Sequence, residues 1–235
     1  MSAPTQRTPP PSLLAGLAWT STLRWAAQAI AWSSTLILVR LLSPSDYGVV
    51  AVASTVVAWV TGFADMGLSG SIQTSDVQTP GSYGKMVGQS MASGFAFAAV
   101  IAGLGPLFAS LFKQDSLRLL FPVMSLCILL DGVRSVLSAI MMRSLQNRNL
   151  AALDLARSVL QTVVVFVCAM RGFGFWSLAI GQVTASVLGA IMILLAVRIR
   201  PSRPSLAQVR ASLTRGKHFM TTGVMWQTYI NADIW

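Results

Sequence analysis

The chain has 235 residues, 54% of them hydrophobic and only 10% charged, with a mean hydropathy of +0.66. Soluble domains carry about a quarter charged residues, so this depletion excludes an ordinary water-soluble fold and matches a lipid solvent, where each mid-bilayer charge costs kilocalories. All seven acidic residues are Asp and the net charge is +10. The basic residues lie between apolar runs rather than on one aromatic-interleaved face, which argues against a nucleic-acid partner.

The opening stretch, MSAPTQRTPPPS, is rich in Pro, Ser and Thr and reads as a disordered head over residues 1–16. A membrane-crossing helix needs about 20 mostly apolar residues. Six such runs follow, near 17–42, 49–72, 86–112, 117–142, 149–170 and 175–197. The turn Ser43-Pro44-Ser45-Asp46-Tyr47-Gly48 ends the first. A polar link at 73–84 separates the second and third, and Gly103, Gly105 and Pro106 are expected to bend or fray the end of the third. Arg171-Gly172-Phe173-Gly174 makes a tight turn before the sixth. Residues 198–217 form a strongly basic linker, and 218–235 read as a seventh span cut short, with Asn231 and Asp233 inside it.

Lys and Arg counts set the orientation. With the N-terminus inside, the inner segments hold Arg7, Lys85, Arg143, Arg148, Arg198, Arg200, Arg203, Arg210, Arg215 and Lys217, against Arg40, Lys113, Arg118 and Arg171 outside. The expected fold is all-α: a polytopic transmembrane bundle of six spans and a truncated seventh. Small residues at four-residue spacing, Gly84/Gly88, Ser90/Gly94 and Gly181/Ala185/Gly189, let such helices approach closely.

Ionisable residues within spans normally face a bundle interior or a wet cavity. At about 100° per residue, Ser21, Arg24, Gln28 and Thr35 form one narrow polar stripe on the first span. Such a stripe can hold an anionic head group through the guanidinium fork, or it can be a snorkelling Arg with ordinary interhelical hydrogen bonds. Asp131 and Arg134 are spaced to pair on one face of the fourth span, as a structural or gating pair or as part of a substrate site; Asp154, Arg157 and Gln161 repeat the pattern on the fifth. Asp65 near the end of the second span can cap, pair with an Arg, or bind a coupling ion. Cys127 and Cys168 lie in apolar runs without CxxC spacing or a nearby His and read as inert thiols. The lone His218 and the lack of a Ser/His/Asp grouping, HExxH, P-loop or nucleotide loop give no enzymatic reading, and no metal or cofactor is expected.

The segment Leu36-Ile37-Leu38-Val39-Arg40-Leu41-Leu42-Ser43-Pro44-Ser45-Asp46-Tyr47-Gly48, followed by Phe63-Ala64-Asp65-Met66-Gly67-Leu68-Ser69, resembles the opening of polysaccharide and oligosaccharide flippases. These are the Wzx and teichuronic-acid-exporter type of the multidrug/oligosaccharidyl-lipid/polysaccharide exporter superfamily. Gly216-Lys217-His218-Phe219 and Tyr229-Ile230-Asn231-Ala232-Asp233 are similar to that family's seventh helix. The resemblance implies one lobe of a two-lobed exporter in the bacterial inner membrane. Such an exporter moves polyprenyl-pyrophosphate-linked glycan by alternating access, with a missing second lobe or partner chain, in contact with membrane lipids. It makes Arg24, Gln28, Thr35, Asp131 and Arg134 the candidate substrate-cavity residues and Asp65 the candidate ion-coupling residue. A cation-coupled small-molecule exporter of the same superfamily, and an inactive half-transporter or scaffold in a polysaccharide synthesis complex, are the alternatives.

Overall fold

Breakers and caps decide where the apolar runs become separate helices in the computed structural model, which describes residues 11–65, 67–74, 80–199 and 202. Among these residues seven helices follow one another: α1 (Pro11–Leu38), α2 (Pro44–Ala64), α3 (Leu68–Thr74), α4 (Pro80–Phe112), α5 (Leu117–Arg143), α6 (Asn147–Met170) and α7 (Phe175–Val197). Five of them, α2 and α4 to α7, are long and apolar enough to cross a membrane, and the chain is a multi-pass membrane protein. α1 has the length, at 28 residues, but its Arg, Gln, Ser and Thr content leaves it outside that apolar set.

Several boundaries differ from those read in the sequence, each for a local reason. α1 starts at Pro11, inside the stretch expected to be disordered, because Pro is tolerated in a first helical turn where its missing N–H would be unbonded anyway. Pro44 likewise opens α2, so part of the turn expected to end the first span is the first turn of the second. The second run is not one helix. It breaks between α2 and α3, where Gly67 takes a positive φ of 69°. α4 runs through Gly103, Gly105 and Pro106 to Phe112, and its 33 residues make it roughly 50 Å long, well beyond the apolar thickness of a bilayer. Most of the basic linker and the whole truncated seventh span lie outside the described residues.

α5 is the hub. It packs against α2, α3, α4 and α7, while α6 packs chiefly on α7, and α1 lies against α6 at the bundle's edge. One apolar cluster gathers Val50, Ala53, Val57, Leu120, Phe121 and Met124, with Phe108 stacked on Phe121 at 4.6 Å. A second cluster gathers Leu68, Ile72, Val87, Val136, Leu137 and Ile193. On α5 the first ends at Ile128 and the second begins at Val133, so Asp131 falls between them. Close helix approach substitutes for the hydrophobic effect that lipid does not supply. A Cβ at Gly94 would lie 3.0 Å from Leu129 Cα, and one at Gly181 would collide with Val165.

Candidate functional site

The interruption between the two apolar clusters is a polar layer shared by α5, α6 and α7. The sequence spacing suggested that Asp131 and Arg134 pair with each other, and the structure corrects this. Arg134 pairs with Asp154 of α6, and Asp131 lies 3.8 Å from the guanidinium of Arg157, also on α6. The reason is geometric. α5 and α6 are consecutive spans joined by a short turn, hence antiparallel, and two Asp-x-x-Arg repeats facing each other in antiparallel sense place each Asp opposite the other's Arg. α7 completes the layer. Ser186 Oγ donates to Asp131 Oδ2 at 2.9 Å, Arg157 Nε donates to the Ala185 carbonyl at 3.2 Å, and Gln161 Nε2 donates to Gln182 Oε1 at 3.2 Å. Gly189 makes room for both arginine stems. A Cβ there would come within 3.0 Å of Arg157 Cδ and 3.3 Å of Arg134 Cδ. The layer is electrically neutral and ties three helices together.

The two family-like turns have definable local functions. Ser43 and Asp46 form a reciprocal capping box at the start of α2: the Asp46 N–H donates to Ser43 Oγ at 3.2 Å, and the Ser43 N–H and hydroxyl donate to Asp46 Oδ2 at 3.1 and 2.7 Å. The other carboxylate oxygen of Asp46 accepts from the Phe175 N–H at 3.2 Å, capping α7 as well. Gly174, with φ 54°, brings the chain close enough for this contact. In the second turn Asp65 Oδ2 accepts from the Ser69 hydroxyl at 2.5 Å and its N–H at 3.3 Å, starting α3. The buried Leu68 anchors the turn, Ser93 of α4 donates to the Ala64 carbonyl at 2.7 Å, and Arg143 of α5 donates to the Ile72 carbonyl at 2.7 Å.

The candidate residues fall into separate places. Ser21, Arg24, Trp25 and Gln28 line a shallow groove of about 280 Å³ on the exposed face of α1. Thr35 is also exposed, but its hydroxyl donates to the Ala31 carbonyl of its own helix at 3.0 Å. The opposite side of α1 is held to α6 by Ser158 Oγ donating to the Ala27 carbonyl and by Arg148 stacking over the Trp19 ring at 5.0 Å. Asp131 is in the polar layer. Arg134 and Asp154 reach from that layer to one wall of a cleft of about 270 Å³ between α3, α5 and α6, shared with Ser69, Gln73, Ser135 and Ser138. The single inner face expected from Arg24, Gln28, Asp131 and Arg134 is thus divided between an outward groove and an internal layer.

Sequence reasoning missed Gln182, Ser186 and Gly189 as members of the polar layer, Asp46 as the cap of α7, and Ser135 and Ser138 as cleft residues. The repeated Asp-x-x-Arg on consecutive spans was a usable signal for the cross-pairing. The serines carried none, because isolated serines in apolar spans are common.

No solved structure matches the chain. A succinoglycan biosynthesis transport protein, ExoT, of Rhizobium meliloti (strain 1021) is 28% identical over 152 residues, covering 65% of this chain. The match takes in 31% of that relative's own length. The family described as polysaccharide biosynthesis protein matches residues 37–234, the greater part of the sequence and all of α2 to α7, and the chain belongs to that family.

Proposed function

We propose that this chain is one lobe of a transporter that flips lipid-linked oligosaccharide or polysaccharide precursors across the bacterial inner membrane by alternating access, with its N-terminus cytoplasmic. The carrying observation is the groove on α1. Arg24 and Gln28 stand exposed on a helix whose other side is packed on α6, and among the described residues no carboxylate pairs with Arg24. An unpaired guanidinium on a membrane helix calls for an anionic partner or a wet cavity. The pyrophosphate of a polyprenyl-linked glycan supplies the first, bound through a bidentate fork, and a second lobe facing α1 supplies the second. The family and the transport role named for the ExoT relative support the same reading.

The test is export. In a strain lacking its own flippase, the full-length protein carrying Arg24→Ala is expected to accumulate normally in the membrane and to lose most surface glycan, whereas Arg24→Lys, which keeps the charge but not the fork, restores part of it. Normal glycan export by Arg24→Ala refutes the assignment.

A further inference from the structure

A second groove opens between α1 and α6. The contacts of Arg148 with Trp19 and of Ser158 with Ala27 set the two helices parallel, so their C-terminal ends lie side by side. There Leu36, Arg40, Leu41, Phe166 and Met170 line an opening of about 450 Å³, which shares no residue with the Arg24 groove. Its polarity is graded along the helices. Met170 is the last residue of the α6 span and Arg171 follows it, so this level is the edge of the apolar layer. Phe166, four residues earlier on α6, lies about 6 Å deeper. Every exposed side chain of α6 from Val159 to Met170 is apolar, as suits a surface turned to lipid chains. At the shallow end stands the exposed Arg40, and among the described residues no carboxylate pairs with it or with Arg171. The groove therefore has apolar walls at depth and an unmatched cation at its edge.

We propose that this groove binds an anionic glycerophospholipid, with Arg40 holding the phosphate and Leu36, Phe166 and Met170 packing against the start of an acyl chain. Charge complementarity selects the occupant. A guanidinium fork matches phosphate oxygens bidentately, and a basic pocket between membrane helices attracts anionic head groups. A free phosphate would leave the apolar walls uncovered, and a neutral diacylglycerol would leave Arg40 unmatched. Arg171, beside Met170, adds a second positive charge at the same end and favours a head group with net negative charge. The bound lipid has a structural consequence. α1 packs chiefly on α6, so a lipid bridging the ends of the two helices fastens α1 to the bundle. The site uses neither Arg24 nor the export reading.

The experiment is native mass spectrometry of the full-length protein in mild detergent, titrated with palmitoyl-oleoyl phosphatidylglycerol, dioleoylglycerol or a polyprenyl phosphate. The expected result is a saturable phosphatidylglycerol adduct that the diacylglycerol does not form. Arg40→Gln raises its Kd about tenfold, as loss of a charge-assisted hydrogen bond predicts. Phe166→Ala raises it about threefold through lost apolar contact. Lys113→Gln, which removes a cation between α4 and α5, leaves it unchanged. Absence of a saturable adduct, equal binding of diacylglycerol, or an unshifted Kd in Arg40→Gln overturns the proposal. So does an equal loss in Lys113→Gln, which marks general charge attraction, or tighter binding of the polyprenyl phosphate, which marks a carrier-lipid site. Should Arg40→Gln fail to fold, an unshifted Kd in Phe166→Ala decides against it. No glycan enters the assay, so failure here leaves the export reading standing, and failure of export leaves this result standing.

Discussion

Replacing Asp131 by Asn removes one charge from the polar layer while keeping an oxygen for Ser186 to donate to. The guanidinium of Arg157 then loses the carboxylate 3.8 Å away. At an effective dielectric constant of about 20, two unit charges at that separation attract by about 4 kcal/mol. Both side chains are about one-fifth exposed, at 22% and 21%, and desolvation opposes the attraction, so the net coupling is expected at about 1–3 kcal/mol. A pair three residues apart on one helix couples by only about 0.2–0.5 kcal/mol. Double-mutant cycles separate the two arrangements. Asp131→Asn combined with Arg157→Gln is expected to show the larger coupling, and Asp131→Asn combined with Arg134→Gln almost none, measured by reversible unfolding in detergent. Strong coupling of Asp131 to Arg134 together with independence from Arg157 refutes the cross-paired layer.

Three further outcomes follow from the same geometry. Gly189→Ala pushes a methyl against both arginine stems and is expected to cost about 1–3 kcal/mol in the same unfolding assay, with Arg157→Gln partly relieving it; an unchanged stability would mean that the stems do not pass over Gly189. Asp46→Ala removes acceptors from the starts of two helices and is expected to lower stability by about 1–2 kcal/mol, whereas Asp46→Asn retains the oxygen facing Phe175 and loses less; equal losses from the two variants would show that the α7 cap contributes nothing. Gln161→Leu leaves the Gln182 carboxamide facing an apolar partner and is expected to destabilise by about 1 kcal/mol, a loss that Gln182→Leu on the same background recovers; no recovery would show that the two carboxamides do not act as a pair.

Much of the fold was legible because lipid imposes one rule on every span, that its backbone bonds be made internally along an apolar run. The runs at 117–142, 149–170 and 175–197 coincide almost residue for residue with α5, α6 and α7. Where a turn residue also suits a helix start, the reading slipped. Pro44 ended a helix in the sequence and begins one in the structure, and Gly67 split a run whose apolarity gave no hint of a break. The pairing of charges was less legible, since spacing along one chain reports neighbours on one helix and says nothing of the facing helix. The stripe Gly181/Ala185/Gly189 was read as a surface for close approach, which Gly181 serves against Val165; that Gly189 instead makes space for two arginines depended on where α6 presented them.

The ionisable residues of the bundle differ in what they can still do. A group whose charge is already met inside the bundle has little interaction energy left for a passing substrate, because engaging it first means breaking an existing pair in a poorly solvated place. Asp131, Arg134, Asp154 and Arg157 are in that position, and their work is to hold α5, α6 and α7 in register. Arg24 is not, since its face of α1 is open and among the described residues no carboxylate pairs with it. Asp65 is not, since among the described residues no Lys or Arg forms an ion pair with it. Among the described residues, the unpaired Arg24 lies on α1 at the bundle's edge and Asp65 lies at the turn between α2 and α3. α6 carries α1 on one side and the cleft's Asp154 on another, and the neutral polar layer keeps it fixed to α5 and α7.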